Sequence, residues 1–461
     1  MAPANLRFGG GAADSLLHPL VAMAMVLAVI LILCLPRRFI IVPFLIGVFS
    51  IPLGQVVVLG GLHFTVLRIL ILAGLARRGM SRPGSPSAPF AGHIKSIDPL
   101  VRLWFAITLL TTSLELMATP ALIKGLGDFL DAFGGYVVIR FLIQDREDVR
   151  RALKAFAVLT VVLGCCMINE QVTHLNIFGL LGGVPLDPQI RDGKLRSQAA
   201  FMVYIDAGVF GATLMPLLLW LWSHAKSRVA AALGMAGAIA MVITSNSSTP
   251  LLVFAGAMVG LCFWHLRTRM RFFRWGLVST LLGLHLVMKA PVWSLIARID
   301  LTGSSSGYHR YYLVDNCIRH FSDWWLIGYK DYPNWGWDMW DLSNQFVAVA
   351  LTGGLAGLVV FIWILSRSFA GLGTARKRVT GERKQEWFLW CLGAALFAHV
   401  VGFFGCSYMA QMQILLFTLW AMISVATFET MRVAVPPLVT LDNADAIQVL
   451  PQAEELHGTV S

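Results

Sequence analysis

A succession of long apolar runs decides what this chain can be. Thirteen of them occupy most of its 461 residues, at roughly 18–36, 38–59, 62–76, 98–118, 120–143, 152–170, 201–222, 227–244, 249–267, 273–291, 345–366, 386–404 and 407–430. The hydrocarbon core of a bilayer is about 30 Å thick, which about 20 helical residues cross. Inside it, backbone polar groups must be satisfied within a helix or a closed barrel. Charged residues make up 13% of the chain, against about 25% in soluble domains. Too little polar surface is left to face water. The sequence predicts an all-α fold: a polytopic membrane helical bundle of about 12–13 transmembrane helices, with a large extracytoplasmic loop carrying short helices. The run at 62–76 is short for a span and reads as tilted, re-entrant or internally packed.

Orientation follows from Lys and Arg, which collect in cytoplasmic loops. They cluster after alternate runs: Arg37 and Arg38; Arg77, Arg78, Arg82 and Lys95; Arg146, Arg150, Arg151 and Lys154; Lys226 and Arg228; Arg267, Arg269, Arg271 and Arg274; Arg367, Arg376, Lys377, Arg378, Arg383 and Lys384. With Arg432, that side takes 23 cations against 8 on the other. This places the N-terminus outside and the C-terminal tail inside. The net charge of +11 is then an orientation signal rather than a nucleic-acid signal. Two large loops, 171–200 and 292–344, face outward. Residues 1–431 form a single membrane domain, and 432–461 a polar cytoplasmic tail expected to be disordered. Residues 77–96, "RRGMSRPGSPSAPFAGHIKS", are rich in Pro, Gly and Ser and read as a flexible linker. The first run ends in "CLPRRF" with no small-residue cleavage site, so it reads as a retained span. The seven cysteines are dispersed, with neither a disulfide framework nor a CxxC pair.

Because cations are depleted outside, each one there asks for a reason. Loop 171–200 holds Arg191, Lys194 and Arg196. Loop 292–344 holds Arg298, Arg310, Arg319 and Lys330, with His309 and His320 beside two of the arginines. An Arg presents a permanently charged fork that suits a phosphate or diphosphate. Pairing with Asp192, Asp315, Asp323 or lipid headgroups is the alternative for any one of them. Five of the fifteen tryptophans fall between Trp324 and Trp340, among Asp331, Asp338 and Asp341. Such rings stack on sugars or anchor at the membrane interface, and both readings stay open. The three aspartates are candidate general bases. Within the runs, Lys124, Asp128 and Asp131 share one helix face. With Arg140, Glu115, Glu170 and Asp206 they form either structural pairs or an ion path. There is no P-loop, no GxGxxG opening a helix and no HExxH. That argues against an ATPase, a nicotinamide enzyme and a zinc protease, and no metal site is expected.

The order of parts resembles the O-antigen ligase and polymerase superfamily of bacterial envelope proteins, over about residues 150–430. "LRSQAAFMVYIDAGVFGATLMPLLLWL" resembles its outward Arg before a span, with Arg196 in that place. "ITSNSSTPLLVFAGAMVGL" resembles its polar turn, with Ser-Asn or Ser-Ser for the usual Ser-Arg. "HRYYLVDNCIRHFSDWWLIGYKD" resembles its Arg–aromatic–glycine passage, with Arg310 and Gly328 at matching positions. "DLSNQFVAVALTGGLAGLVVFIWIL" resembles its His-Asn entry to a span, with Asn344 at the Asn and Ser343 where the ligases carry a His.

The resemblance implies a metal-independent, inverting glycosyl transfer without cofactor at the periplasmic face of the bacterial inner membrane. The donor would be a glycan on undecaprenyl diphosphate. Arg196 and Arg310, with Arg319, would hold the diphosphate leaving group. Arg191, Trp324, Trp325, Trp335, Trp337 and Asn344 would bind substrate, and Asp341 or His320 would stand in for the missing His. Ser343 favours a polymerase of exopolysaccharide or O-antigen repeats over a ligase. Partners would be the polyprenyl-linked glycan, membrane lipid, a chain-length regulator and other assembly proteins, but not nucleic acid. A flippase of lipid-linked sugars is the rival from another class, with Lys124, Asp128, Asp131 and Asp206 as its coupling groups.

Overall fold

The computed structural model describes residues 15–59, 62–81, 97–115, 119–298, 307–336 and 338–433. The C-terminal tail, most of the Pro/Ser-rich linker and Trp337 therefore lie outside the described residues. The chain is almost entirely helical. Chain order runs α1 (Pro19–Cys34), α2 (Arg37–Ser50), α3 (Val66–Gly79), α4 (Asp98–Glu115), α5 (Thr119–Phe129), α6 (Gly135–Leu142), α7 (Arg146–Thr173), α8 (Tyr204–Trp222), α9 (Arg228–Thr244), α10 (Ser248–Cys262), α11 (Met270–Val287), α12 (Gly307–Arg319), α13 (Phe321–Trp324), α14 (Gln345–Arg378), α15 (Arg383–Phe403) and α16 (Gln411–Val433). Short strands β1 (Ser15–Leu16), β2 (Gln55–Leu59) and β3 (Leu62–Thr65) make one small sheet, and β4 (Gln189–Arg191) and β5 (Lys194–Arg196) a hairpin.

Seven helices among the described residues are long and apolar enough to cross a membrane: α7 to α10 and α14 to α16, two of them extended by a few flanking residues. This is a multi-pass helical membrane protein. Consecutive long helices run in opposite directions, so the bundle has two ends. The basic end carries the arginine clusters, and the aromatic end carries loops 171–200 and 292–344.

The thirteen apolar runs do not map one to one onto spans. Residues 38–59 and 62–76 hold two 14-residue helices and a β-hairpin, because Gln55–Leu59 is a β-branched "QVVVL" that pairs antiparallel with Leu62–Thr65. Apolarity is common to buried strands and spans, and β-branching is what favours the strand. Run 120–143 divides into α5, one π-helical turn at Leu130–Gly134, and α6. Run 273–291 gives α11, which turns through 93° into a 3-10 helix at Val292–Arg298.

Several of the charges expected at membrane depth are paired. Asp131 receives both Nε and Nη2 of Arg68, at 2.9 and 2.7 Å, with Asp128 3.9 Å away. Arg140 grips Asp98 bidentately at 2.8 Å, and the Tyr136 hydroxyl donates to the same carboxylate. These are structural pairs rather than an open ion path.

Helix α14 is broken. Gly354 has φ 61° and ψ −167°, a backbone region open essentially to glycine alone. The tryptophan-rich loop fills the break: Tyr329 N–H donates to Leu351 O at 2.9 Å, and Leu355 N–H donates to Trp325 O at 2.8 Å. Irregular backbone is tolerated at such depth only when protein satisfies it, and here the loop does so. Gly328, at φ 87°, is what lets the chain lie against the Leu351 carbonyl.

Candidate functional site

The loop before α8 is built to hold Arg196 still. Asp192 and Gly193 both have positive φ, at 52° and 72°, as a two-residue hairpin turn of type I′ requires. That turn pairs β4 with β5 and ends β5 at Arg196. The residues around it are pinned from the ends of α7 and α9. Glu170, in the last turn of α7, accepts the Gln198 and Ala199 N–H groups at 3.0–3.2 Å. Gln171 Nε2 donates to Leu195 O, Ser197 Oγ and Thr244 O. Asn246, beyond α9, donates to Leu195 O at 2.7 Å. Arg196 itself is buried, with its guanidinium 4.6 Å above the Tyr204 ring and Nη1 donating to the Tyr204 hydroxyl.

Arg310 approaches from α12. It is buried, and Nη2 donates to Thr249 Oγ1 at 2.8 Å in the first turn of α10. Its Nε is also buried and makes no hydrogen bond among the described residues. No carboxylate oxygen among them lies within ion-pair distance of it. Burial lowers the Arg310 guanidinium from its ordinary value; Cys406, Asp341 and the Tyr204 phenol act against that, and Arg191 adds to it. Tyr204 thus touches Arg196 and acts electrostatically on Arg310.

Asp341 borders the same cluster. Burial raises its carboxyl, His309 pulls it down, Asp338 pushes it up, and Arg310 pulls it down again. Asp206, in the first turn of α8, is part-exposed and within electrostatic reach of Cys406 and Tyr408. Gly405 packs so closely on Thr249 that a Cβ there would collide with it. The cluster thus draws on α8, α10, α12, the turn before α14 and the turn after α15.

The other expected residues divide. Arg191 stays near, half-exposed on β4, 3.7 Å from Asp192. Arg319 does not join: it is exposed and paired with Asp315 at 2.6 Å, and that pairing raises its pKa. Asp315 also accepts from Trp293 Nε1 at 3.2 Å, so this network fastens the 3-10 helix onto α12. His320 does not join either; its Nδ1 lies 3.1 Å from Asp323. Its ring lies flat on Trp335 at 4.8 Å, and Tyr329 lies flat on Trp335 at 5.4 Å. Trp335 therefore sits in a three-ring stack within the loop. Trp324 is buried and donates to Cys317 O at 2.7 Å, a packing role. Trp325 and Trp340 are the exposed members, with Trp325 carbonyl oxygen on α14. Asn344 caps α14 by accepting from Phe346 N and Val347 N at 2.9 and 3.2 Å.

Tyr204, Thr249 and His309 are neighbours of the cluster that the sequence does not single out for it. Thr249 does fall within the polar turn "TSNSSTP", which is a signal of a kind. Among the described residues no group of three or more His, Cys, Asp or Glu is arranged to hold a metal. No protein-family model and no curated protein matches the chain.

Proposed function

We propose that this protein polymerises polyprenyl-diphosphate-linked oligosaccharide repeats, as for exopolysaccharide or O-antigen, by inverting glycosyl transfer at the outer face of the bacterial inner membrane. The observation that carries the reading is Arg310: a buried guanidinium held by a neutral hydroxyl, with Nε unmet among the described residues, and within electrostatic reach of Tyr204, on which the buried Arg196 rests. Burying a cation without an anion is costly, and an anionic ligand at this place repays that cost. A diphosphate fits two forked donors arriving from separate elements. As the glycosidic bond breaks, negative charge grows on the phosphate oxygen, and preorganised donors there lower the barrier. The acceptor glycan and the aromatic end of the bundle meet at Trp325 and Trp340. Transfer to a different envelope acceptor, as a ligase performs, uses the same cradle.

The flippase reading is weakened by Arg68, which ties up the Asp128 and Asp131 carboxylates it needs. The test is a strain lacking the chain's gene, complemented with Arg196→Ala, Arg310→Ala or both. Each single variant lowers polymer by about 10²–10³-fold, and single lipid-linked repeats accumulate. Full-length polymer from the double variant defeats the assignment. Repeats trapped on the cytoplasmic side point to a flippase.

A further inference from the structure

The site as described has a cradle for the leaving group and no assigned base for the attacking hydroxyl. His309 supplies one. It precedes Arg310 on α12, and its side chain is 13% exposed. Its Nε2 lies 3.0 Å from the Asp341 carbonyl oxygen. A carbonyl oxygen only accepts, so in the neutral imidazole Nε2 carries the proton and Nδ1 keeps its lone pair. The same carbonyl accepts the Ser343 N–H at 3.0 Å. The imidazole therefore docks, from α12, onto the turn at which Ser343 offers only a hydroxyl. The Asp341 carboxylate is 3.9 Å from Nε2, placed to support positive charge arriving on the ring.

Successive helical residues point about 100° apart around the axis. Arg310 is directed at α10 and His309 at the 338–343 turn. Among the described residues, His309 faces Asp341 from the turn and adjoins Arg310 on its own helix, and Asp341 in turn feels Asp338, Arg310 and the Tyr332 phenol. The other loop histidine, His320, has Nδ1 on Asp323 and a face on Trp335.

We propose that His309 Nδ1 is the general base that takes the proton from the acceptor sugar hydroxyl. This rests on the reading of the site as a glycosyl-transfer centre. The hydroxyl oxygen forms the new bond to the anomeric carbon. The bond from that carbon to the diphosphate oxygen breaks, and its electron pair leaves with the diphosphate held by Arg196 and Arg310. The hydroxyl proton passes to Nδ1 and from there to water.

The experiment uses isolated membranes in which lipid-linked repeats have accumulated because the chain's gene is deleted. Full-length wild type, His309→Ala, His309→Gln and Arg310→Ala are supplied in turn, and conversion of repeats to polymer is timed. His309→Gln retains an N–H for the Asp341 carbonyl but offers no basic nitrogen. His309→Ala and His309→Gln are expected to lower the rate at least about 10²-fold, at wild-type protein levels and with the repeat pool intact. Added imidazole is expected to restore part of the His309→Ala rate and none of the Arg310→Ala rate. Wild-type speed in either His309 variant, or no imidazole effect on folded His309→Ala, overturns the base assignment while a loss in Arg310→Ala leaves the reading of the site standing. Should wild type itself convert no repeats, the reading of the site falls and this inference falls with it.

Discussion

The two ends of the bundle treat inward-lying arginine in opposite ways, part-exposed and paired at one and buried at the other. At the basic end, charge meets charge. Asp148 receives both Arg37 and Arg151, at 2.7 and 2.6 Å, Glu386 receives both Arg267 and Arg376, and Glu429 receives Arg146. Deeper, Arg140 and Asp98 form a closed pair with Tyr136. At the aromatic end, buried Arg310 rests on a threonine and buried Arg196 on a tyrosine ring. The first arrangement is complete and serves to lock helices together. At Arg310 the second leaves capacity for an anion. The lesson is that the neighbour, rather than the arginine, tells a structural cation from a binding one.

The comparison breaks most visibly at Asp98. Asp98→Ala strands Arg140 inside the bundle, and removing one partner of a buried pair costs about 3–5 kcal/mol. The purified protein is expected to melt far lower in a detergent thermal scan. Arg310→Met removes a cation that no carboxylate among the described residues pairs with directly, although Asp341 feels its charge. It is expected to melt within a few degrees of wild type while polymer falls about 10²–10³-fold. If Arg310→Met is as unstable as Asp98→Ala, the contrast between the ends is false, and Arg310 is a packing residue.

A smaller effect tests whether the tryptophan-rich loop depends on the break in α14. Gly354→Ala places a side chain at φ 61° and within 2.7 Å of Leu326 O. Strained positions of this kind cost about 1–3 kcal/mol. The loop between α12 and α14 is expected to become sensitive to limited proteolysis before the bundle melts. Unchanged cleavage would mean that the loop is held by its own ring stack.

These contrasts were unevenly legible beforehand. The membrane bundle shows in the apolar runs, and Arg196 and Arg310 stand out because cations are scarce on their side. The β2–β3 hairpin hides, since "QVVVL" is equally apolar as strand or span. Spacing puts Lys124, Asp128 and Asp131 on one face, but nothing local shows that Arg68, some 60 residues earlier, is what they meet. The grouping of His320, Trp335 and Tyr329 into one stack depends on how a loop folds back, which no periodicity encodes. His309 is visible beside Arg310, but its place at the site is not, for a related reason: its partner is a backbone carbonyl, and every residue has one.

The smallest expected effect falls on Arg319, and it separates the two kinds of arginine within a single helix. Arg310 and Arg319 lie nine positions apart on α12, both in the loop between α11 and α14, and by composition alone they are equivalent candidates. Arg310 is buried with an unmet donor, whereas Arg319 is fully exposed and already paired with Asp315 one turn back. Arg319 is solvated although Asp315 is buried, so water screens the pair from the Arg319 side and its contribution is small. Arg319→Ala is therefore expected to make polymer of normal amount and length in the complemented deletion strain, where Arg310→Ala does not. Its one foreseeable trace is a looser Trp293, since Asp315 would keep the indole but lose its counter-charge. Loss of polymer in Arg319→Ala equal to that in Arg310→Ala would show that the diphosphate reaches both ends of α12 and that exposure is no guide to the cradle.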